Sequence, residues 1–146
     1  DAEAYGIKST IKDMTQFMAA NMGLVPLDKD IQQALDNNRK GYYQASTFTQ
    51  GLGWEMYPYP TQLNTLLEGN SMDVILKPQA IKTDNHPTAV LNNVWVNKTG
   101  ATNGFGGYIA YIPAEKSGIV ILANKNYPNA DRVKAAYTIL ESAITH

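Results

Sequence analysis

The order of apolar patterns predicts an α+β fold, a two-layer arrangement in which an antiparallel sheet is flanked by helices. Two helical stretches come first, several strand-like stretches follow, and one helical stretch closes the chain. This order lacks the strand–helix–strand alternation that a parallel sheet requires. A length of 146 residues suits one domain or part of a larger one, so we take residues 1–146 as a single unit.

Two helices are predicted at the start. The first runs from about Thr10 to Met22, because Thr10 and Asp13 form a capping-box pattern and Gly23 can end the helix. The second begins after Asp28. The apolar residues at helical spacing are Ile11, Met14, Met18 and Met22 in the first helix and Ile31, Ala34 and Leu35 in the second.

The middle of the chain predicts short strands around one helix. Strand character begins near Tyr42, and Gly51–Tyr57 follows as a strand whose Trp54 and Tyr57 we expect in the core. A short helix follows Pro60, carries Leu63, Leu66 and Leu67, and ends at Gly69. Ser71–Leu76 is interpreted as a strand, and the stretch from Lys77 to Asn92, with Pro78 and Pro87, as a long loop.

The last third carries the clearest pattern. Strands are predicted at Val94–Lys98, Phe105–Ile112 and Gly118–Asn124, and residues 113–117 form a turn between the last two. One helix follows from about Asn129. Because that helix can cover only part of one sheet face, the chain looks like half of a larger fold, and we expect the strands Val94–Lys98 and Phe105–Ile112 to have exposed neighbours, whose unpaired edges could recruit other chains. The helix's apolar stripe is Val133, Ala136, Tyr137, Leu140 and Ile144.

Composition excludes several classes of function. The 12 basic and 13 acidic residues give a net charge of −1 without any block of like charge, which argues against a nucleic-acid partner. The longest apolar run, Gly118–Ala123, is too short to span a bilayer, and no charged-then-apolar leader is visible. The absence of cysteine excludes thiolate chemistry, and His86 and His146 have no helix-spaced partner, so no zinc site is expected.

One tripeptide suggests catalysis. Lys98-Thr99-Gly100 ends a predicted strand, as the K-[ST]-G signature of penicillin-recognising serine enzymes does. The lysine would place positive charge beside a nucleophile, and the threonine hydroxyl could donate to a substrate carboxylate. Glycine would let a substrate approach the strand edge. The alternative is an ordinary strand end with a solvated lysine.

Four blocks in a fixed order carry a family resemblance. They are AEAYGIKST near the start, QGLGWEMY in the middle, then NKTGATNGFGGYIAYIP and GIVILANKNYPNADRVKAAYTIL. In these blocks the sequence resembles the C-terminal part of class C serine β-lactamases, the cephalosporinases. The resemblance implies the β-lactamase and penicillin-binding transpeptidase-like fold, a periplasmic location, a β-lactam as substrate and no cofactor. It also implies that the catalytic serine, its lysine and a tyrosine lie upstream, in an N-terminal part of the same enzyme that would be this chain's partner.

The resemblance assigns roles to seven residues. Lys98 would contact the nucleophile and the tyrosine, and the backbone N–H of Ala101 would be one of two oxyanion-hole donors. Thr99 and Gly100 would bind substrate at the strand. Asn129 and Arg132 would face the substrate carboxylate, the alternatives being helix capping and a solvated arginine. Tyr5 would line the acyl side-chain pocket, its alternative being core packing, and the stretch Asn70–Asn92 would form a wall beside the other end of a cephalosporin.

Two short matches are interpreted as accidental. Ser9-Thr10-Ile11-Lys12 matches the S-x-x-K of a serine nucleophile, and Tyr127-Pro128-Asn129 matches Y-x-N. The family's Y-x-N precedes K-T-G, whereas this one follows it. Ser9 lies in a different block of the resemblance, where we expect it near a helix N-terminus.

Two other functions remain open on the sequence. The same fold serves DD-peptidases and esterases, although the blocks around K-T-G favour a β-lactamase. Alternatively, the chain is an inert complementing or interaction fragment, because every assigned residue orients or stabilises and none attacks.

Overall fold

A computed structural model describes residues 6–83, 87 and 89–145 of the chain. Within them, seven strands form one antiparallel sheet in the order β4-β1-β2-β3-β5-β6-β7. The strands are β1 (Tyr43–Gln44), β2 (Thr49–Gln50), β3 (Glu55–Pro58), β4 (Lys82–Thr83), β5 (Val94–Ala101), β6 (Gly106–Ile112) and β7 (Ser117–Ala123). The helices are α1 (Ile11–Asn21), α2 (Lys29–Asn38), α3 (Leu63–Gly69), α4 (Met72–Leu76) and α5 (Asn129–Ile144). The predicted antiparallel α+β architecture is confirmed.

The sheet separates two apolar clusters. On one face, Trp95 and Tyr57 pack with α3 and with the buried stripe of α5, which includes Val133. On the other face, Trp54 and Met56 pack with Met18 of α1. Trp54 and Tyr57 therefore belong to the core, as predicted, and α1 supplies the cover that α5 cannot give to the second face.

Local signals fixed the ends of α1 as expected. The Thr10 hydroxyl accepts a hydrogen bond from the N–H of Asp13 at 3.2 Å, which satisfies one of the free donors at the helix start. Beyond the helix, Gly23 adopts a positive φ of 71°, a conformation that glycine tolerates and that ends helices. α3 and α5 also begin and end close to the predicted residues.

Two strand predictions were wrong. Ser71–Leu76 contains the helix α4, because the Ser71 hydroxyl caps it by accepting from the N–H of Val74 at 3.4 Å. Gly51–Tyr57 is a strand only from Glu55 onward. Gly51 instead closes a turn with Trp54, N–H to C=O at 2.8 Å, and Gly53 within that turn has a positive φ of 95°.

The expected exposed neighbour is present for β6, because β7 beside it is an edge strand, but not for β5. β5 lies between β3 and β6, and β6 lies between β5 and β7, so both are interior. β5 also continues three residues past Lys98, because Thr99, Gly100 and Ala101 pair with Tyr108, Gly107 and Gly106. The open edges of the sheet are instead β4 and β7.

None of the described helices is long and apolar enough to cross a membrane. α2 contains no fully buried residue, and the side chain of Ile31 on its apolar face is 51% exposed. The described part of the chain therefore leaves the apolar face of α2 open.

Candidate active site

The end of β5 is paired on one side only. Its pairing with β3 stops at Asn97, opposite Glu55, whereas its pairing with β6 continues to Ala101. The last four residues of β5 therefore have one open edge. We call this part of the strand the K-T-G segment; it consists of Lys98, Thr99, Gly100 and Ala101. Backbone groups on that edge are available to a bound molecule.

The strand register sets the direction of the Ala101 N–H. In the turn that follows β5, the N–H of Thr102 donates to the carbonyl of Phe105 at 2.9 Å. Hydrogen-bonded and non-hydrogen-bonded pairs alternate along an antiparallel ladder, so Ala101 and Gly106 form a non-hydrogen-bonded pair. The N–H of Ala101 consequently points away from β6, toward the open edge, which is the direction an oxyanion donor needs.

Lys98 has a carboxylate partner that the sequence did not reveal. Its Nζ lies 2.7 Å from Oε1 of Glu55 on β3, and the two side chains are 44% and 13% exposed. Glu55 is thus the more buried member and holds the ammonium beside the open edge. Because the pair is 43 residues apart in sequence, no local pattern could have predicted it.

A buried hydrogen-bond network centred on the side-chain amide of Asn97 lies next to this ion pair. Asn97 Oδ1 accepts from Asn70 Nδ2 and from the Tyr108 hydroxyl, each at 2.9 Å. Asn97 Nδ2 donates to the backbone carbonyl of Glu55 at 3.1 Å, which ties β3 to β5 beside Lys98. The signal in the sequence was one asparagine that directly follows the apolar run Val94-Trp95-Val96, since a buried amide requires partners.

Burial keeps the tyrosines of this network protonated. Burial, and then the charge of Glu55, raises the pKa of Tyr57 far above its ordinary value. Burial likewise raises the pKa of Tyr108, so its hydroxyl remains a donor to Asn97 at an alkaline pH where a free tyrosine would ionise. The network is therefore neutral, and the charges beside it are those of Lys98 and Glu55.

Arg132 is buried, so the alternative of a solvated arginine is wrong. Its guanidinium lies against Gly106, where an added Cβ would overlap Nη1, and it stacks over the ring of Tyr127 at 5.2 Å. Its Nη2 donates to Oδ1 of Asn129.

Asn129 is the first residue of α5 and makes no capping bond, so the capping alternative is also wrong. Since Gly106 pairs with Ala101, these two side chains lie behind the end of the K-T-G segment.

A cleft of about 1040 Å³ opens at this end of the sheet. We call it the glycine cleft, because Gly100, Ala101, Gly106 and Gly107 line one side of it. Exposed apolar side chains, Phe105 and Leu122, line it as well. Ser9 also lines it, and Ser9 lies near a helix N-terminus, as predicted, because it directly precedes the capping residue Thr10 of α1.

A second cavity of about 380 Å³ lies beside Lys98 and Glu55. Part of its wall comes from the predicted loop Asn70–Asn92, through Val74 and Ile75 of α4 and through Gln79 and Ile81 beyond it. We call it the side cavity. The ion pair therefore borders a pocket with a partly apolar wall.

Several residues that the sequence analysis singled out have no observed role in this site. Tyr5, His86 and His146 lie outside the described residues. Among the described residues, no group of three or more His, Cys, Asp or Glu side chains is arranged to hold a metal ion. Ser9 lies just before the cap of α1 and Lys12 lies in its first turn, and the interpretation of this S-x-x-K match as accidental stays a prediction. The described part of the site can therefore stabilise negative charge on a bound molecule, through the Lys98 ammonium and the N–H of Ala101.

Comparison with known proteins gives consistent matches. The profile of the Beta-lactamase family matches residues 1–144. A curated β-lactamase from Psychrobacter immobilis is 70% identical over 146 residues, which is all of this chain and 36% of that protein. The crystal structure of a β-lactamase/D-alanine carboxypeptidase from Pseudomonas syringae has a TM-score of 0.92 at 49% identity, covering 97% of this chain and 40% of that one. A class C β-lactamase in complex with cefoxitin has a TM-score of 0.90 at 49% identity, covering 96% and 39%. The chain thus spans well under half the length of these relatives.

Proposed function

Because the chain belongs to the β-lactamase family, we propose that it supplies the K-T-G side of the active site in a class C serine β-lactamase. The catalytic serine, its lysine and the proton-transfer tyrosine come from a part of the longer protein outside these residues. The reaction is hydrolysis of a β-lactam through a serine acyl-enzyme that water then cleaves. A periplasmic location is part of the proposal.

The open edge of the K-T-G segment carries this proposal. Attack on a β-lactam carbonyl places negative charge on its oxygen, and preorganised backbone donors stabilise that charge. The N–H of Ala101 points toward the open edge and lines up with such a role. The Lys98 ammonium, on the same segment, stabilises negative charge on the incoming nucleophile and on the proton-transfer group.

Thr99 and Asn129 bind the substrate carboxylate in this proposal. The half-buried Thr99 hydroxyl lies one residue from Lys98, and glycine at position 100 leaves the strand edge clear, since a Cβ there would meet no atom within 4 Å. Asn129 Oδ1 is occupied by Arg132, which leaves the amide N–H groups of Asn129 to donate. The buried Arg132 therefore acts by orienting Asn129 and by adding positive charge behind it.

In this proposal, the side cavity receives one end of a cephalosporin and so favours this class of β-lactam. A cephalosporin carries substituents at two ends; the side cavity borders Lys98 and the glycine cleft borders Gly100 and Ala101, at the two ends of the K-T-G segment. Tyr5 would complete the wall on the acyl side. The cefoxitin complex of a class C relative supports a β-lactam as the ligand.

A D-alanine carboxypeptidase is the second candidate. The name of the Pseudomonas syringae relative joins both activities, and both reactions open an acyl bond beside a carboxylate. The same residues would serve either reaction. Kinetics on a cephalosporin and on a D-alanyl-D-alanine peptide would separate the two activities.

The test uses a chimeric enzyme, defined as the Psychrobacter immobilis β-lactamase with its matching segment replaced by this chain. We expect the chimeric enzyme to hydrolyse a chromogenic cephalosporin and the 146-residue chain alone to be inactive. A folded chimeric enzyme without activity would contradict the proposal. Turnover by the chain alone that is lost in Ser9→Ala would contradict it too, because Ser9 would then be the nucleophile.

A further inference from the structure

Two buried asparagine side chains, those of Asn70 and Asn97, bond to each other beside the K-T-G segment. Asn70 Nδ2 donates to Asn97 Oδ1 at 2.9 Å, and the two residues are 5% and 0% exposed. Removing two amides from water costs free energy, and an apolar pair of the same shape could fill the space without that cost. The bond therefore points to a role beyond packing.

The surrounding hydrogen bonds fix the orientation of both amides. Asn97 Oδ1 also accepts from the Tyr108 hydroxyl at 2.9 Å, and Asn97 Nδ2 donates to the Glu55 carbonyl at 3.1 Å. Asn70 Nδ2 donates to the Leu66 carbonyl at 2.9 Å as well as to Asn97. Turning over either amide would bring an oxygen against an oxygen, so each side chain has one favoured orientation.

The bond joins the helical layer to β5 at the point where β5 loses a neighbour. Asn97 is the residue at which the pairing with β3 ends, and Lys98 follows directly. Asn70 lies 27 residues earlier in the chain, between α3 and α4. Beyond Asn97, β5 is paired with β6 alone. The side chain of Asn70 thus restrains β5 just before its open edge begins.

Helix capping is the simpler role for Asn70. The backbone N–H of Asn70 already donates to the Leu66 carbonyl at 3.0 Å, so that carbonyl keeps a partner without the side chain. The bond to Asn97 has no such backbone substitute.

Contact with substrate is the other simple role. In the described part of the chain, the wall that this region gives to the side cavity begins at Val74, and Asn70 is not part of it. A role through Asn97 remains.

We propose that Asn70 is a positioning residue for β-lactam hydrolysis, which acts through Asn97 to hold Lys98 and the N–H of Ala101 in place. This role rests on the proposed function of the K-T-G segment. Preorganised charges and donors stabilise a transition state only from the correct position, and a shift of about 1 Å can lower a rate by about a hundredfold. Loss of one of several restraints should cause a smaller shift, so we expect a loss of about tenfold.

The experiment measures kinetics of the chimeric enzyme carrying Asn70→Ser. A serine hydroxyl can still donate to the carbonyl four residues earlier, that of Leu66, but is too short to reach Asn97. We expect kcat for a cephalosporin to fall about tenfold and KM to stay within about threefold, whether the substituent at the side-cavity end is large or small. An unchanged kcat would overturn the proposal, because capping would then account for Asn70. A change confined to KM for the large substituent would overturn it in favour of a substrate contact.

Asn93→Ser is the matched control. Asn93 Nδ2 donates to the Tyr59 carbonyl at 3.0 Å, just before the other end of β5. This variant also removes one amide bond beside β5, but far along the strand from Lys98, so kcat should stay within about threefold of the parent. Equal losses of kcat in Asn70→Ser and Asn93→Ser would contradict a specific role for Asn70.

A double variant tests whether Asn70 acts through Asn97. In the Asn97→Ala background, adding Asn70→Ser should change kcat by less than about twofold, because the link is already broken. A further tenfold loss would overturn the proposal. Asn97→Ser takes the place of Asn97→Ala if the latter does not fold, and circular dichroism checks every variant.

The parent chimeric enzyme separates this proposal from the proposed function. A folded parent without activity would contradict the proposed function, and the role of Asn70 with it. An active parent whose kcat is unaffected by Asn70→Ser would contradict the role of Asn70 alone. An active parent, a tenfold loss in Asn70→Ser and no further loss in the double variant would support both.

Discussion

The ammonium of Lys98 lies 2.7 Å from the carboxylate of Glu55, across the boundary where the pairing of β3 with β5 ends. Asn97 holds that boundary by donating to the Glu55 carbonyl. The lysine of the K-T-G segment is thus placed by a neighbouring strand as well as by its own. This arrangement separates two roles, since Glu55 can position the charge and Lys98 carries it.

Glu55→Gln in the chimeric enzyme tests that division of roles. The ammonium remains, so we expect kcat to stay within about tenfold of the parent. Because Lys98 is 44% exposed, the free energy of unfolding should change by no more than about 1 kcal/mol. Steady-state kinetics and chemical denaturation measure the two quantities. A fall in kcat as large as that of Lys98→Ala would mean that the pair acts as one unit.

Gly106→Ala should disturb Arg132, and Gly107→Ala should not. A Cβ on Gly106 overlaps the buried guanidinium, whereas the nearest atoms to a Cβ on Gly107 lie at 3.9 Å. We expect Gly106→Ala to lower the free energy of unfolding by about 1–3 kcal/mol and to raise KM, because Asn129 loses its orienting partner. Thermal melting and kinetics on both variants of the chimeric enzyme check this. Similar effects at the two glycines would contradict the placement of Arg132.

Two tyrosines of β6 form a matched pair. Tyr108→Phe removes a donor to Asn97 and an acceptor for the indole N–H of Trp95, so it should destabilise by about 1–3 kcal/mol. The buried Tyr111 hydroxyl has no partner among the described residues, so Tyr111→Phe should be neutral or stabilising. Chemical denaturation compares them. Equal losses would show that Tyr111 bonds to something that these residues do not include.

Alkaline pH should unfold the protein through its buried tyrosines. Burial raises the pKa of Tyr57, Tyr108 and Tyr111 in the folded state, while in the unfolded state they titrate near 10. Above about pH 10 the unfolded state therefore binds fewer protons than the folded state, and stability falls as pH rises. Tyr111→Phe should reduce that slope by about 1.4 kcal/mol per pH unit. Unfolding midpoints between pH 8 and 11 measure it, and an unchanged slope would contradict the burial of Tyr111.

The sequence predicted those parts of the fold that depend on local signals. The cap at Thr10 and the apolar runs of β5, β6 and β7 were sufficient, because each signal lies within the element it defines. α4 was misread as a strand, since Val74-Ile75-Leu76 has strand composition and only the cap at Ser71 favours a helix. A capping bond is a weaker sequence signal than an apolar run.

The candidate site could be predicted only for residues that are contiguous in sequence. The tripeptide Lys98-Thr99-Gly100 is contiguous and could be recognised in the sequence, and the backbone direction of Ala101 follows from its position in the hairpin. Glu55 and Asn70 reach the site from β3 and from the end of α3, 43 and 27 residues away from their partners. Such pairings depend on strand order, which a single sequence does not specify.

The most direct test of the proposed site is kcat for cephalosporin hydrolysis by the chimeric enzyme carrying Lys98→Ala. A charge acting on the reacting groups in a water-poor site contributes a few kcal/mol, so we predict a fall of at least about a hundredfold. Thr99→Ala, which removes one neutral donor, should fall between this variant and the parent. Circular dichroism confirms that each variant is folded. A folded Lys98→Ala enzyme with kcat within about threefold of the parent, a difference under ~1 kcal/mol, would contradict the assignment of this strand to the active site.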